Sequence, residues 1–118
     1  MRAILPVLVA AALTASTLSG CASFRRAKET HLLSDARQIV ATRLHMTAVH
    51  PERQVPSLHD VMAQHQLLDA ERVEPFEVTA AWANPDADEE IVLRQKEPAG
   101  SRRVVALGNG RAMVQEDE

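Results

Sequence analysis

What this chain lacks bounds it closely. Its 118 residues include one cysteine, Cys21, which rules out a disulfide within the chain and a cysteine-ligated metal cluster. Aromatic residues make up 3% and the formal net charge is −3. A nucleic-acid interface needs a basic face with stacking rings, and the composition supplies neither. No apolar run approaches the ~20 residues that a membrane-spanning helix requires. There are no internal repeats and no low-complexity linker. Glycine is scarce, with four residues, and none builds a nucleophile elbow around a serine. Gly108-x-Gly110 lacks the third glycine and the following helix of a dinucleotide site. No His-Glu-x-x-His occurs. These absences leave no catalytic constellation, so the expectation is a protein that is not an enzyme and holds no cofactor.

What is present begins at the N-terminus. Met1-Arg2 supplies a small positive start, and Ala3 to Ala15 is apolar apart from Pro6 and Thr14. That run has the length of a signal-peptide core. Ser16, Thr17 and Ser19 follow, and the stretch closes on Leu18-Ser19-Gly20-Cys21. This tetrapeptide resembles the lipobox of bacterial lipoproteins at all four positions. The alternative reading is an ordinary secretory signal with an incidental cysteine. The resemblance implies a signal peptide over residues 1–20, a diacylglycerol on the Cys21 thiol and an acyl chain such as palmitate on the new amino group. Residues 21–27 would form a lipidated tether and 28–118 a single small domain. Two or three chains anchor stably where one is marginal, at ~0.8 kcal/mol per buried methylene. Losing Arg2, the one charged residue of the signal, takes the net charge from −3 to −4. Arg25, Arg26 and Lys28 beside the anchor suit either anionic headgroups or a solvated helix start. Ala22 follows the cysteine where Asp would signal inner-membrane retention. The resemblance thus favours the cell outer membrane, facing the periplasm.

Apolar residues Leu32, Leu33, Ala36, Ile39, Val40 and Leu44 recur at helical spacing within about 24–49, and Pro51 ends the run. Ser57 with Asp60 three residues on predicts a capped second helix, with Leu58, Val61, Met62 and His65 on one face and Leu67-Leu68 closing it. Asp69 to Glu74 reads as a turn or a frayed coil. Strands are expected from Phe76 into Trp82, across Glu90 to Lys96, and at Arg103–Leu107 and Arg111–Gln115. Between the last two, Asn109-Gly110 predicts a tight hairpin whose turn positions both need positive φ. The last residues, Glu116-Asp117-Glu118, are expected to fray. The fold class is α+β, a long N-terminal helix plus a short second helix packed on a small antiparallel sheet of three to four strands.

Val55-Pro56-Ser57-Leu58-His59-Asp60-Val61 with Leu67-Leu68 is similar to the segment after the first helix of type II secretion pseudopilins. Val104 to Arg111 resembles the last hairpin of pilin-like proteins, with Asn109 and Arg111 where that pattern has Asp and His. The lipobox replaces the apolar filament helix of that family. The resemblance therefore implies a pilin-like head on a lipid tether.

Candidate chemistry outside the anchor is sparse. His45 and His50, like His59 and His65, are not spaced three or four apart as ligands on one helix face would be, and His31 is isolated. Asn84, Asp86 and Asp88 alternate like the start of a calcium loop, but its sixth and twelfth positions hold Glu89 and Gln95 rather than Gly and Glu. Ser57, His59 and Asp60 evoke a triad, yet capping suits them better. Trp82 suits the seam between helix and sheet. The expected role is a non-enzymatic binding or scaffolding module, held to a membrane by lipid and serving an unidentified envelope protein. The alternative is an envelope enzyme or ion-binding protein using the 84–90 turn or the histidines.

Overall fold

The computed structural model describes residues 4–66 and 68–116, with side chains from Arg26 onward. Leu67, Asp117 and Glu118, and the side chain of Cys21, lie outside the described residues. The chain divides into two compact units, 1–30 and 31–118. The first consists of the N-terminal part of helix α1 (Ile4–Val49), on which Arg26, Ala27, Lys28 and Thr30 are exposed. The helix was expected from about Phe24, and its backbone begins twenty residues earlier. The Ala- and Leu-rich run has high helix propensity. Pro6 falls in the first turn, where a missing N–H leaves no bond unmade. Residues 21–27 are likewise helical. Among the described residues no helix is long and apolar enough to cross a membrane.

The second unit is α+β. The rest of α1 is followed by α2 (Leu58–Gln64), α3 (Ala70–Val73), β1 (Phe76–Val78), a 3-10 turn (Ala80–Ala83), β2 (Ile91–Gln95), β3 (Arg102–Leu107) and β4 (Ala112–Glu116). The four strands form an antiparallel meander in the order β1-β2-β3-β4. Ala36, Ile39 and Val40 of α1 join Val61, Phe76, Val92, Leu93, Val104 and Ala106 in one core, with Leu32 and Leu33 packed against it. Leu44 departs from expectation, being 39% exposed, while Arg43 and Thr47 are buried in its place. At 100° per residue Leu44 lies roughly 80° round the helix from Ala36, whereas Arg43 and Thr47 fall within about 20° of it.

Ser57 caps α2 as predicted. Its hydroxyl accepts from the Asp60 N–H at 3.1 Å, and its own N–H donates to Asp60 Oδ2 at 3.3 Å. The helix stops at Gln64 because His65 turns extended. Leu68 is buried beyond it. The expected turn at 69–74 contains the short helix α3, capped by Asp69, whose carboxylate accepts from the Arg72 N–H at 3.0 Å.

The first strand is shorter than its sequence suggests. Thr79 Oγ1 donates to the Ile91 carbonyl at 2.6 Å, and its own carbonyl accepts from the Trp82 N–H at 3.1 Å. That bond curls Ala80–Ala83 into a 3-10 turn instead of continuing the strand. The final hairpin also differs. Gly110 has φ 94°, but Asn109 is not at positive φ. The Gly110 N–H donates to the Leu107 carbonyl and the Leu107 N–H to that of Arg111, which makes a three-residue loop with a glycine bulge.

Candidate functional site

The polar centre of the second unit is a side chain that the expected stripe passed over. Arg43 sits on the buried face of α1 and is 1% exposed. Its Nε and Nη2 both donate to the Trp82 carbonyl, at 3.1 and 2.8 Å, and Nη2 also donates to that of Asn84 at 2.8 Å. The guanidinium carbon lies 5.2 Å from the centroid of the Trp82 ring, within cation–π range. Trp82 Nε1 donates to the Pro56 carbonyl at 2.9 Å. One arginine and one tryptophan thus tie α1, the 3-10 turn and the loop before α2 together. Burial pushes the Arg43 guanidinium below its usual range, and the negative charge of Asp88 opposes that. The position was legible in principle, because Ala36, Val40, Arg43 and Thr47 continue one stripe at spacings of four, three and four. A charged residue on such a stripe is normally assigned to the surface.

This geometry bears on the acidic turn. The Asn84 carbonyl accepts from Arg43 and from the Ala87 N–H at 3.3 Å, and Asn84 Oδ1 accepts from the Asp86 N–H at 2.9 Å. Asp86 pairs with Arg53 at 3.0 Å, with both side chains mostly exposed. The Asp88 and Glu90 carbonyls accept from the N–H groups of Asn109 and Gly108, at 2.9 and 3.1 Å. Of the oxygens that a calcium loop would aim at an ion, Asn84 Oδ1 is therefore directed at the Asp86 N–H, the Asp86 carboxylate at Arg53 and the Glu90 carbonyl at the tip of the last hairpin. Asn84 and Asp86 each meet an arginine, Asn84 meeting Arg43 through its backbone carbonyl and Asp86 meeting Arg53 through its carboxylate. Among the described residues no group of three His, Cys, Asp or Glu side chains is placed to hold a metal ion.

The histidines stay apart. His31, His45, His50 and His59 are exposed and His65 is half-buried. His50 Nδ1 accepts from the Glu52 N–H at 3.2 Å. His50 and Asp60 lie on an open groove of about 420 Å³ between the end of α1 and α2, floored by Met46, Val55 and Pro56. Asp60 is engaged in capping, and Ser57 is its capping partner, so neither is poised as a nucleophile or base. Comparison with protein-family models, curated proteins and solved structures finds no match to this chain.

Proposed function

We propose that the protein is a lipid-anchored component of a bacterial envelope, acting as a non-enzymatic binding or scaffolding module. The observation that carries this reading is Leu18-Ser19-Gly20-Cys21 at the end of a short apolar run, with Cys21 the one thiol in the chain. In a lipobox that thiol is the nucleophile that takes the diacylglycerol. A pilin-like head, associated with a secretion or surface machine, is the form of the module suggested by the segments at 55–68 and 104–111. The α+β order of the second unit is compatible with that form. The outer membrane, periplasmic side, is the favoured location, on the evidence of Ala22.

The engagement of the 84–90 turn by Arg43, Arg53 and the hairpin tip supports a structural use of that turn over an ion-binding one. The test is direct. Intact-mass spectrometry of the protein from membranes should find a chain that begins at Cys21 and carries acyl mass, and Cys21→Ser should move it to the soluble fraction. An unmodified Cys21, or a mature chain beginning elsewhere, overturns the anchor. A pull-down from solubilised membranes that recovers no envelope partner counts against the scaffolding role.

A further inference from the structure

The chain contains two asparagines, Asn84 and Asn109, and the residue after each decides what its carboxamide can do. An asparagine loses ammonia when the next backbone nitrogen attacks its side-chain carbonyl carbon. Pro85 follows Asn84, and its nitrogen has no proton to lose, so that route is closed there. Gly110 follows Asn109 and has no Cβ to crowd the attacking nitrogen or restrict its backbone. Asn109 is exposed at the tip of the last hairpin, open to the water that completes the reaction. Its Oδ1 accepts from the Arg111 N–H at 3.0 Å, which polarises the carboxamide for attack. The nucleophile, by contrast, is engaged, because the Gly110 N–H donates to the Leu107 carbonyl at 3.0 Å. The tip is also pinned, since the Asn109 and Gly108 N–H groups donate to the Asp88 and Glu90 carbonyls.

We propose that Asn109 is a site of spontaneous deamidation, gated by local opening of the docked hairpin tip. Opening breaks the bond from Gly110 to Leu107 and frees the glycine nitrogen to turn toward Asn109 Cγ. That nitrogen gives its proton to a solvent base and bonds to Cγ. The Cγ–Nδ2 bond breaks, and ammonia leaves with a proton from solvent, giving a succinimide. Water then opens the ring at either carbonyl and leaves aspartate or isoaspartate at position 109. Overall one water is consumed and one ammonia released. Either product adds a negative charge beside the acidic turn, where the position 109 N–H meets the Asp88 carbonyl at 2.9 Å. Isoaspartate also inserts a main-chain carbon into the three-residue loop. Both changes oppose re-docking, so the modified tip stays open.

The test incubates the full chain in detergent and mildly alkaline buffer, folded or in strong urea, and follows deamidated peptides by mass spectrometry. The unfolded chain should be modified at Asn109 and not at Asn84, about tenfold or more faster than the folded chain. Urea well below the midpoint should speed the reaction in the folded chain, because local opening precedes global unfolding. G108A forces the tip away from the Ala87 carbonyl and should speed it too, with a thermal melt to show that the variant folds. Where G108A does not fold, the urea series decides alone. Equal rates in the folded and unfolded chains overturn the proposal. So does an unfolded chain that is unmodified at Asn109 or modified equally at Asn84. A folded-chain rate that stays flat until global unfolding also overturns it, because tip opening would then not set the rate.

Discussion

Arg43 shows how one residue can hold a small domain together and also burden it. Its guanidinium leaves water and meets carbonyl dipoles and an aromatic face instead of a contacting carboxylate. Removing it strands the Trp82 carbonyl, an unmet acceptor costing ~1–3 kcal/mol where buried, takes one of two partners from the Asn84 carbonyl and ends the contact with the Trp82 ring. Arg43→Ala is therefore expected to lower unfolding stability by roughly 3 kcal/mol, read as a fall in the urea midpoint at unchanged slope. Arg43→Lys should recover only part of the loss, because an ammonium cannot reproduce the planar fork that spans two carbonyls. A lysine variant as stable as the wild type would show that charge alone, and not the fork, matters here. The legibility of this residue was partial. The expected stripe ran through Leu44 and passed over position 43, although spacing from Ala36 and Val40 allows it, and its partners lie 39 and 41 residues away with no local pattern to announce them.

At the scale of elements, the last hairpin and the 84–90 turn form one device. Gly108 and Asn109 donate their N–H groups into the carbonyls of the turn, so the turn is held from outside as well as by Arg43 from within. Gly108 permits this by close approach, since a Cβ there would meet the Ala87 carbonyl oxygen at 1.5 Å. Gly110 is needed for a different reason, its φ of 94°, and nothing lies within 4 Å of its would-be Cβ. Gly108→Ala is expected to cost about 3 kcal/mol through overpacking against backbone. Gly110→Ala should cost only about 1 kcal/mol of dihedral strain. Paired denaturation curves of the two variants check the order, and equal losses would refute the docking of hairpin on turn. The hairpin itself was legible from Asn109-Gly110. Its turn geometry was not, because the choice between a two-residue turn and a bulged loop depends on what the tip packs against.

Across the whole molecule, an acidic chain folds with its carboxylates mainly at the surface, and one of them registers the fold. Asp35 of α1 is half-buried. Burial raises its carboxyl above the usual 3.8, with the charges of Arg72 and His31 opposing and that of Asp69 adding to the shift. A carboxyl raised in the folded state binds its proton more tightly there than in the unfolded chain. Its stabilising contribution is complete below pH 3.8 and is lost as pH rises through the folded value. Asp35→Asn should accordingly be more stable than the wild type at neutral pH. It should also lose the decline in stability just above pH 3.8, as denaturant midpoints measured across that range would show. A variant less stable than the wild type at pH 7 would mean that Arg72 outweighs burial.

The sequence by itself determined the class of fold, the two main helices, the capping box at Ser57 and Asp60, the approximate strands and the reading of an anchor at Cys21. These rest on local physics: periodicity, turn propensity, a cap completed within four residues and a tetrapeptide motif. Only the tertiary structure decided that Leu44 faces out while Arg43 faces in, that the strand from Phe76 stops at Val78, and that the Asn84 carbonyl of the acidic turn accepts from a buried guanidinium. The burial of Arg43 and its hold on the turn rest on hydrogen bonds spanning 39 and 41 residues, and the Thr79 hydroxyl at the end of the strand bonds a carbonyl 12 residues on. Such bonds form only once a core has brought their partners to hydrogen-bonding distance, and spacing along the chain carries no record of that.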